Sequence, residues 1–424
     1  MKASIAFLRI ASLCFAIAGS LACTSSPPPT VLAGQECPTF GYSYANYYNH
    51  IKCDGLQLSD LPWFSDFPNV DLIELQNNEL TSIDFSNKSK LTRVFIDDNQ
   101  LSTINMSANP ALQELNAGKN LLTSINISNN PQLKSLALDS NQLTSINVSN
   151  NLNLETLLLY DNQISSVDLS NNTKLNRLDL AGNFISNINL SKNPELLDLS
   201  LHHTLITQLE LSNNTKLKIL DVRGSSVSSL DLSSLIYLEK LDASLSSIQT
   251  TASIDGYENL SALVTLSFEE NQLYSIDVSY FPNLKLLFLD KNNLTSIDVT
   301  SNNGLTTLSI EDNLLTSINL SYNTKLATLS LNNNNLSTIN LRNNKSLWQL
   351  SLSDNNLTGI DLSQNTNLWF VNLKNNNLND ISSLLNIPSL KGVNLEGNPN
   401  IPCAQLDELQ SHNVGVTRPS TCAP

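Results

Sequence analysis

The feature that most limits what this chain can become is a spacing. Leucine returns every 21 residues at Leu91, Leu112, Leu133, Leu154, Leu175, Leu196, Leu217 and Leu238. One step of 25 leads to Leu263, steps of 21 resume through Leu284, Leu305, Leu326, Leu347 and Leu368, and a step of 22 ends at Leu390. Val70 opens the series, which makes sixteen coils with the consensus L-x-x-L-x-L-x-x-N-x-L-[TS]-S-I-[DN]-[LV]-S-x-N-x-x. A unit this short cannot enclose a core alone, so each must bury its apolar side against its neighbours. The 424 residues therefore describe one stack, not the roughly three domains their number would otherwise suggest.

Each position of the unit has a physical task. The L-x-L segment, as in Leu178-Asp179-Leu180, alternates with period two and predicts a short strand with one buried face. Strands of successive units then lie side by side as a parallel sheet. The later pair, as in Ile297 and Val299, alternates as well, so the opposite side is expected to be extended chain and turns. Asn at position nine, from Asn78 to Asn398, both donates and accepts and can satisfy backbone groups stranded at a bend. Thr204, Ser225 and Ser246 replace it in coils seven to nine. With fewer bonds there, and four extra residues between Ile248 and Leu263, the stretch 196–262 should be less regular. A second Asn column, including Asn130, Asn172, Asn214, Asn323 and Asn365, is expected to shape the turn into the next strand.

These positions resemble the leucine-rich repeat proteins, specifically a short-repeat bacterial class with L-x-x-L-D-L-S-like coils. The resemblance covers residues 70–402. It implies an α/β-type solenoid with a parallel β-sheet on its concave face, a mostly extended convex side, and a concave face that binds protein. A stack also needs ends. Residues 37–69, rich in Phe40, Tyr42, Tyr44, Tyr47, Tyr48, Trp63 and Phe64, are expected to cap the first coil. Residues 403–424, with a helix predicted over 404–411, resemble the disulfide cap of many exported repeat proteins.

Residues 1–22 carry a Lys near the start, an apolar stretch and small residues before Cys23, as a secretory signal does. Ser20-Leu21-Ala22-Cys23 resembles the lipobox of bacterial lipoproteins, which implies a lipid on Cys23 and a Pro/Ser tether over 23–36. Cysteine arithmetic agrees: of six Cys, Cys14 leaves with the signal, and Cys37 can pair with Cys53 and Cys403 with Cys422 in an oxidising compartment, which leaves Cys23 single. The expected location is an outer membrane or cell surface reached through the lipid anchor. Plain secretion is the alternative.

Composition narrows the partners. With 38 acidic against 23 basic residues the formal charge is −15, which repels nucleic acid. Only 13 Gly and 4 His are present, few for phosphate-cradling loops, and Asn is the natural substitute at turns. No cofactor is expected.

Positions three, five, seven and eight should face outward from the sheet. Their large apolar members are Phe95, Leu158, Tyr160, Phe288 and Phe370, with His202 and Arg223 midway. Exposed aromatics and Arg are typical interface anchors. Glu269, Glu270, Asp290, Glu311 and Asp312 form an acidic cluster with Lys291 between Glu270 and Asp312. Carboxylates one coil apart repel by only roughly 0.9 kcal/mol in water, which favours a solvated face or a basic ligand over a metal site. Adjacent strand residues tend to point to opposite sides, so His202 and His203 are poorly placed for one ion, although position eight lies at a turn; Asp221 could orient His202. Asp179, Asp221 and Asp242 beside Arg177, Arg223 and Lys240 read as a charge lattice. No nucleophile with a base and oxyanion donors is recognisable, so the expectation is a non-enzymatic recognition protein for a protein or peptide, a basic one being the sharper alternative. A glycan-binding envelope protein and a structural spacer are the alternatives.

Overall fold

A computed structural model describes residues 49–248, 250 and 253–424. Among them, three-residue strands recur once per coil from Leu72–Glu74 to Gly392–Asn394. Each pairs in parallel with the next, so that Leu178 lies beside Leu199 and Leu308 beside Leu329. Strand His50–Lys52 adds to the first coil and Gly415–Thr417 to the last, which brings the sheet to 18 strands. The sheet therefore continues one strand beyond the sixteen repeats at each end.

Burial follows the repeat. Leu91, Val94, Ile96 and Leu101, at positions one, four, six and eleven of one coil, are all 0% exposed, and their equivalents pack the same way along the stack. Three-residue 3-10 turns occur at Phe64–Asp66, Tyr257–Asn259 and Ser382–Leu384, and the α-helix Cys403–Ser411 lies in the C-terminal segment. The convex side is otherwise extended chain and turns. Its recurrent device is the Asp or Asn at position fifteen, whose Oδ1 accepts the backbone N–H two residues later, as from Ser107 to Asn105 at 3.0 Å.

Position nine does more than turn a corner. Asn99 donates to Ile96 O in its own coil at 3.1 Å and to Leu75 O in the preceding coil at 2.9 Å, while its Oδ1 accepts Leu80 N–H at 3.0 Å. The same bonds recur in most coils and make a buried amide ladder that ties each bend to its neighbour. Thr204 and Ser225 bond only within their own coils, to Leu201 O and Val222 O. The ladder is interrupted there. The sheet is not: Lys240–Asp242 pairs with Thr265–Ser267 without a shift. The extra residues are absorbed elsewhere, where Leu230–Asp231 pairs with Ile254–Asp255. Gly256, at φ 70°, closes against Ser233, whose Cα would lie 2.3 Å from a side-chain carbon there.

The second Asn column is also a ladder. Asn109 donates to Phe85 O and Lys88 O, 24 and 21 residues earlier, and Asn130 repeats this one coil on. In the first coil Lys88 holds the Asn position. Its Nζ donates to Phe64 O at 2.6 Å and Phe67 O at 3.2 Å, the same offsets, and sits 3.9 Å over the Phe64 ring. This residue is 0% exposed. Burial holds its amine down at about 8, against attraction from Asp84 and Asp66. A lysine thus forms the first rung and fastens residues 64–67 to the repeats.

Cys403 and Cys422 are joined, with Cα atoms 5.2 Å apart. Cys53 is disulfide-bonded, while Cys23 and Cys37 lie outside the described residues, as do the predicted signal and tether.

Candidate binding face

The turn that ends each strand departs from expectation. Asn was expected to supply the left-handed positions, yet the buried Asn of position nine does not. Position eight does so in every coil, from Asn77 through Lys119, His203, Leu245 and Glu270 to Gly397, all at positive φ. Left-handed backbone costs an ordinary L-residue roughly 1–2 kcal/mol, so the ladder next door must hold it. The left-handed twist also brings position-eight side chains into a row. Along it, Lys291 pairs with Glu270 at 2.6 Å, Asn333 donates to Asp312 at 2.7 Å and Asn375 to Asp354 at 2.7 Å. Lys291 thus serves Glu270, while Asp312 is met by an amide.

Of the predicted contact residues, Phe95, Leu158, Tyr160, His202, Arg223, Glu269, Phe288, Asp290 and Glu311 are half-buried on the sheet face and Phe370 is exposed. They do not converge on one spot. Instead they mark three stretches along the stack. In the first, Phe95 sits between Glu74 and Asn116 and Leu158 between Ala137 and Asp179, and burial with the nearby Asp139 raises the phenol of Tyr160.

The middle stretch is the charge lattice. Arg223 meets Asp221 at 3.2 Å and Asp242 at 3.7 Å, and Arg177 meets Asp198 at 3.3 Å. Burial and the adjacent Asp242 push Asp221 up to about 6. Asp221 pairs with Arg223. The histidine expectation fails: His202 Nδ1 lies 2.9 Å from His203 Nδ1, on the same side of the chain. The reason is the left-handed backbone of His203, φ 53°, which breaks the strand's alternation. Burial, with Arg223 next, pulls His202 down to about 4.

In the third stretch a hydrogen-bonded chain of polar groups runs across coils nine to fourteen. Ser244 Oγ and Ser267 Oγ are 2.7 Å apart, and Glu269 N–H donates to Ser244 Oγ at 3.1 Å. Asp290 accepts from Ser309 Oγ at 2.7 Å and Glu311 N–H at 2.6 Å. Glu311 accepts from Ser330 Oγ and from Asn332 Nδ2, and Asn332 Oδ1 accepts from Ser353 Oγ at 2.9 Å. Among the described residues no cation pairs with Glu269, Asp290 or Glu311, unlike Asp221, Asp242 and Glu270. Burial, then repulsion from Asp290, raises Glu269 to about 7, and burial raises Asp290 and Glu311 too.

Beyond this chain lies a group that the sequence reading overlooked. Trp348 is 46% exposed and Trp369 53%, at position two of consecutive coils, beside Phe370 at 36%. The Phe370 ring reaches over Gly392, where an added Cβ would meet it at 3.1 Å. Position two was treated as outside the outward set. Two tryptophans exactly one period apart were the signal available. Among the described residues, no three His, Cys, Asp or Glu side chains are grouped to hold a metal.

No family model and no curated relative matches this sequence. Solved structures do. The functional domain of InlJ from Listeria monocytogenes, noted for a cysteine ladder, is 27% identical with a TM-score of 0.68 over 82% of this chain and 74% of that one. A leucine-rich repeat protein of Leptospira interrogans gives 0.73 at 21% identity over 88% and 97%. The fold is the leucine-rich repeat. The ectodomain of the Arabidopsis receptor kinase HAESA, in complex with an IDA peptide hormone, has the same fold, with 0.67 at 21% over 88% and 70%. In the leucine-rich repeat coils here the helix content is low and the sheet face is the continuous surface.

Proposed function

We propose that this protein is an exported, non-enzymatic recognition protein, anchored by a lipid on Cys23, that takes a protein or peptide ligand on its concave face. The observation that carries this reading is the trio Trp348, Trp369 and Phe370, large rings held in water at one end of a sheet whose consensus does not require them. The uncompensated Glu269, Asp290 and Glu311, in coils ten to twelve of the same sheet, favour a basic ligand. The peptide-bound HAESA ectodomain is a precedent for a ligand on this fold. A rigid sheet loses little entropy on docking, and the side chains set specificity.

The test compares wild type with the Trp348→Ala, Trp369→Ala, Phe370→Ala variant in quantitative capture of envelope and host-surface proteins. The expected result is a ligand retained by wild type and lost by the variant. Unchanged capture would place recognition away from this end, and the Phe95, Tyr160, Phe288 alanine variant then tests the first stretch. Two tryptophans one coil apart also favour a second reading, stacking on sugar rings, which the same variants distinguish on glycan arrays.

A further inference from the structure

The centre of the sheet face contains a pair of histidines that the recognition reading does not use. We infer that His202 and His203 form a two-point chelate for a divalent transition-metal ion of the copper or nickel type. The Nδ1 atoms are 2.9 Å apart and the rings are 87° from coplanar. Two nitrogen ligands about 2.0–2.1 Å from an ion and at right angles to each other lie about 2.9 Å apart, whereas a tetrahedral angle separates them by about 3.3–3.4 Å. The 2.9 Å distance is the present hydrogen bond and shifts as the rings turn, so the choice of copper or nickel rests on their general affinity for imidazole nitrogen. Rotation of the rings by a few tens of degrees turns both lone pairs from each other to a shared point. Without metal, one Nδ1 carries the bridging proton. On binding, that proton leaves Nδ1, and Nε2 of the same ring takes one from solvent, so no net proton is released.

The backbone prepares this site. The left-handed conformation of His203 brings its ring to the His202 side. The coils before and after carry Gly182 and Gly224 at position eight, so no position-eight side chain from either covers His203, while Arg223 lies beside His202 at position seven. At Gly224 the fit is close: a Cβ there would lie 2.8 Å from His203 Cδ2. The nearby Arg223 cation is engaged by Asp221 and Asp242 and so opposes a bound cation less than a free guanidinium would. Among the described residues no third ligating side chain joins the pair. The other coordination positions belong to water or to a donor group on a bound partner.

The test titrates the full chain with NiCl2 and with ZnCl2 by calorimetry and follows CuCl2 by electron paramagnetic resonance. His203→Gln and the control His50→Gln, His412→Gln are run alongside, with circular dichroism to confirm folding. The expected result is one nickel per chain, bound at least about tenfold more weakly by His203→Gln and unchanged in the control, with zinc weaker than nickel. Equal nickel binding by wild type and His203→Gln, no saturable binding of nickel or copper, or zinc tighter than nickel would overturn the chelate.

Discussion

Asn334→Ala tests the amide ladder at a single rung. The side chain is 6% exposed and donates to Ile310 O at 2.8 Å, Leu331 O at 3.3 Å and Asn332 O at 3.1 Å, while its Oδ1 accepts Leu315 N–H at 2.9 Å. Not all four bonds are equally exposed to loss. Leu331 O retains Asn355 Nδ2 at 2.9 Å, and Asn332 O retains Asp312 N–H at 3.0 Å. Alanine therefore strands two groups, the Leu315 N–H and the Ile310 carbonyl. At about 1–3 kcal/mol for each buried unsatisfied group, the loss is roughly 2–6 kcal/mol, and water entering the space left by the amide favours the lower half. Asn334→Ser should lose nearly as much, because the hydroxyls of Thr204 and Ser225 reach only their own coils. Urea unfolding read by the fluorescence of Trp348 in the next coil gives the global figure, and hydrogen exchange of the Leu315 amide gives the local one. A loss below about 1 kcal/mol with Leu315 protection unchanged would refute the ladder as a stabilising element.

Three further outcomes follow from named side chains. Lys88 titrates near 8 in the fold against 10.5 when unfolded, so the unfolded chain binds the extra proton between these values and stability rises with pH across that window, by up to about 1.4 kcal/mol per unit; Lys88→Met should remove this slope in pH-resolved urea melts. Glu269 is shifted the other way, from 4.5 up to about 7, so its contribution is present below 4.5 and is lost as pH rises through 7; Glu269→Gln should flatten that fall and leave the protein more stable at pH 8. Leu245 holds a left-handed backbone at φ 54°, and Leu245→Gly should raise stability by about 1 kcal/mol, measured as an increase in the urea midpoint. An unchanged or lower midpoint would mean that the leucine side chain, 45% exposed, contributes more than its backbone strain removes.

What the sequence disclosed depended on whether the physics repeats. The strand, the buried leucines and the amide at position nine recur with one spacing, so their roles could be read from the pattern alone. Position eight could not, because its constraint lies on the backbone and its side chains are as different as Lys119, Ser140 and Leu245. That omission made His202 and His203 look divergent when they meet. Lys88 was hidden for a related reason: its chemistry differs from asparagine, yet its ammonium reaches carbonyls at the same two offsets. Trp348 and Trp369 were missed because the outward set was taken from strand alternation, which begins one residue later. Phe288 ends the strand Leu286–Phe288 and Asp290 follows two residues later, both half-buried.

The interrupted rungs at Thr204 and Ser225 bear on how force and disorder travel through the molecule. In a one-dimensional array each coil is held only by its neighbours, so cooperativity is no stronger than the weakest contact between them. The sheet crosses coils seven to nine without a break, but the position-nine amide cross-links do not. The array thus has a seam: pulled from its ends, or warmed, it should part into two blocks, each melting on its own, with the charge lattice of Arg223 lying across the join.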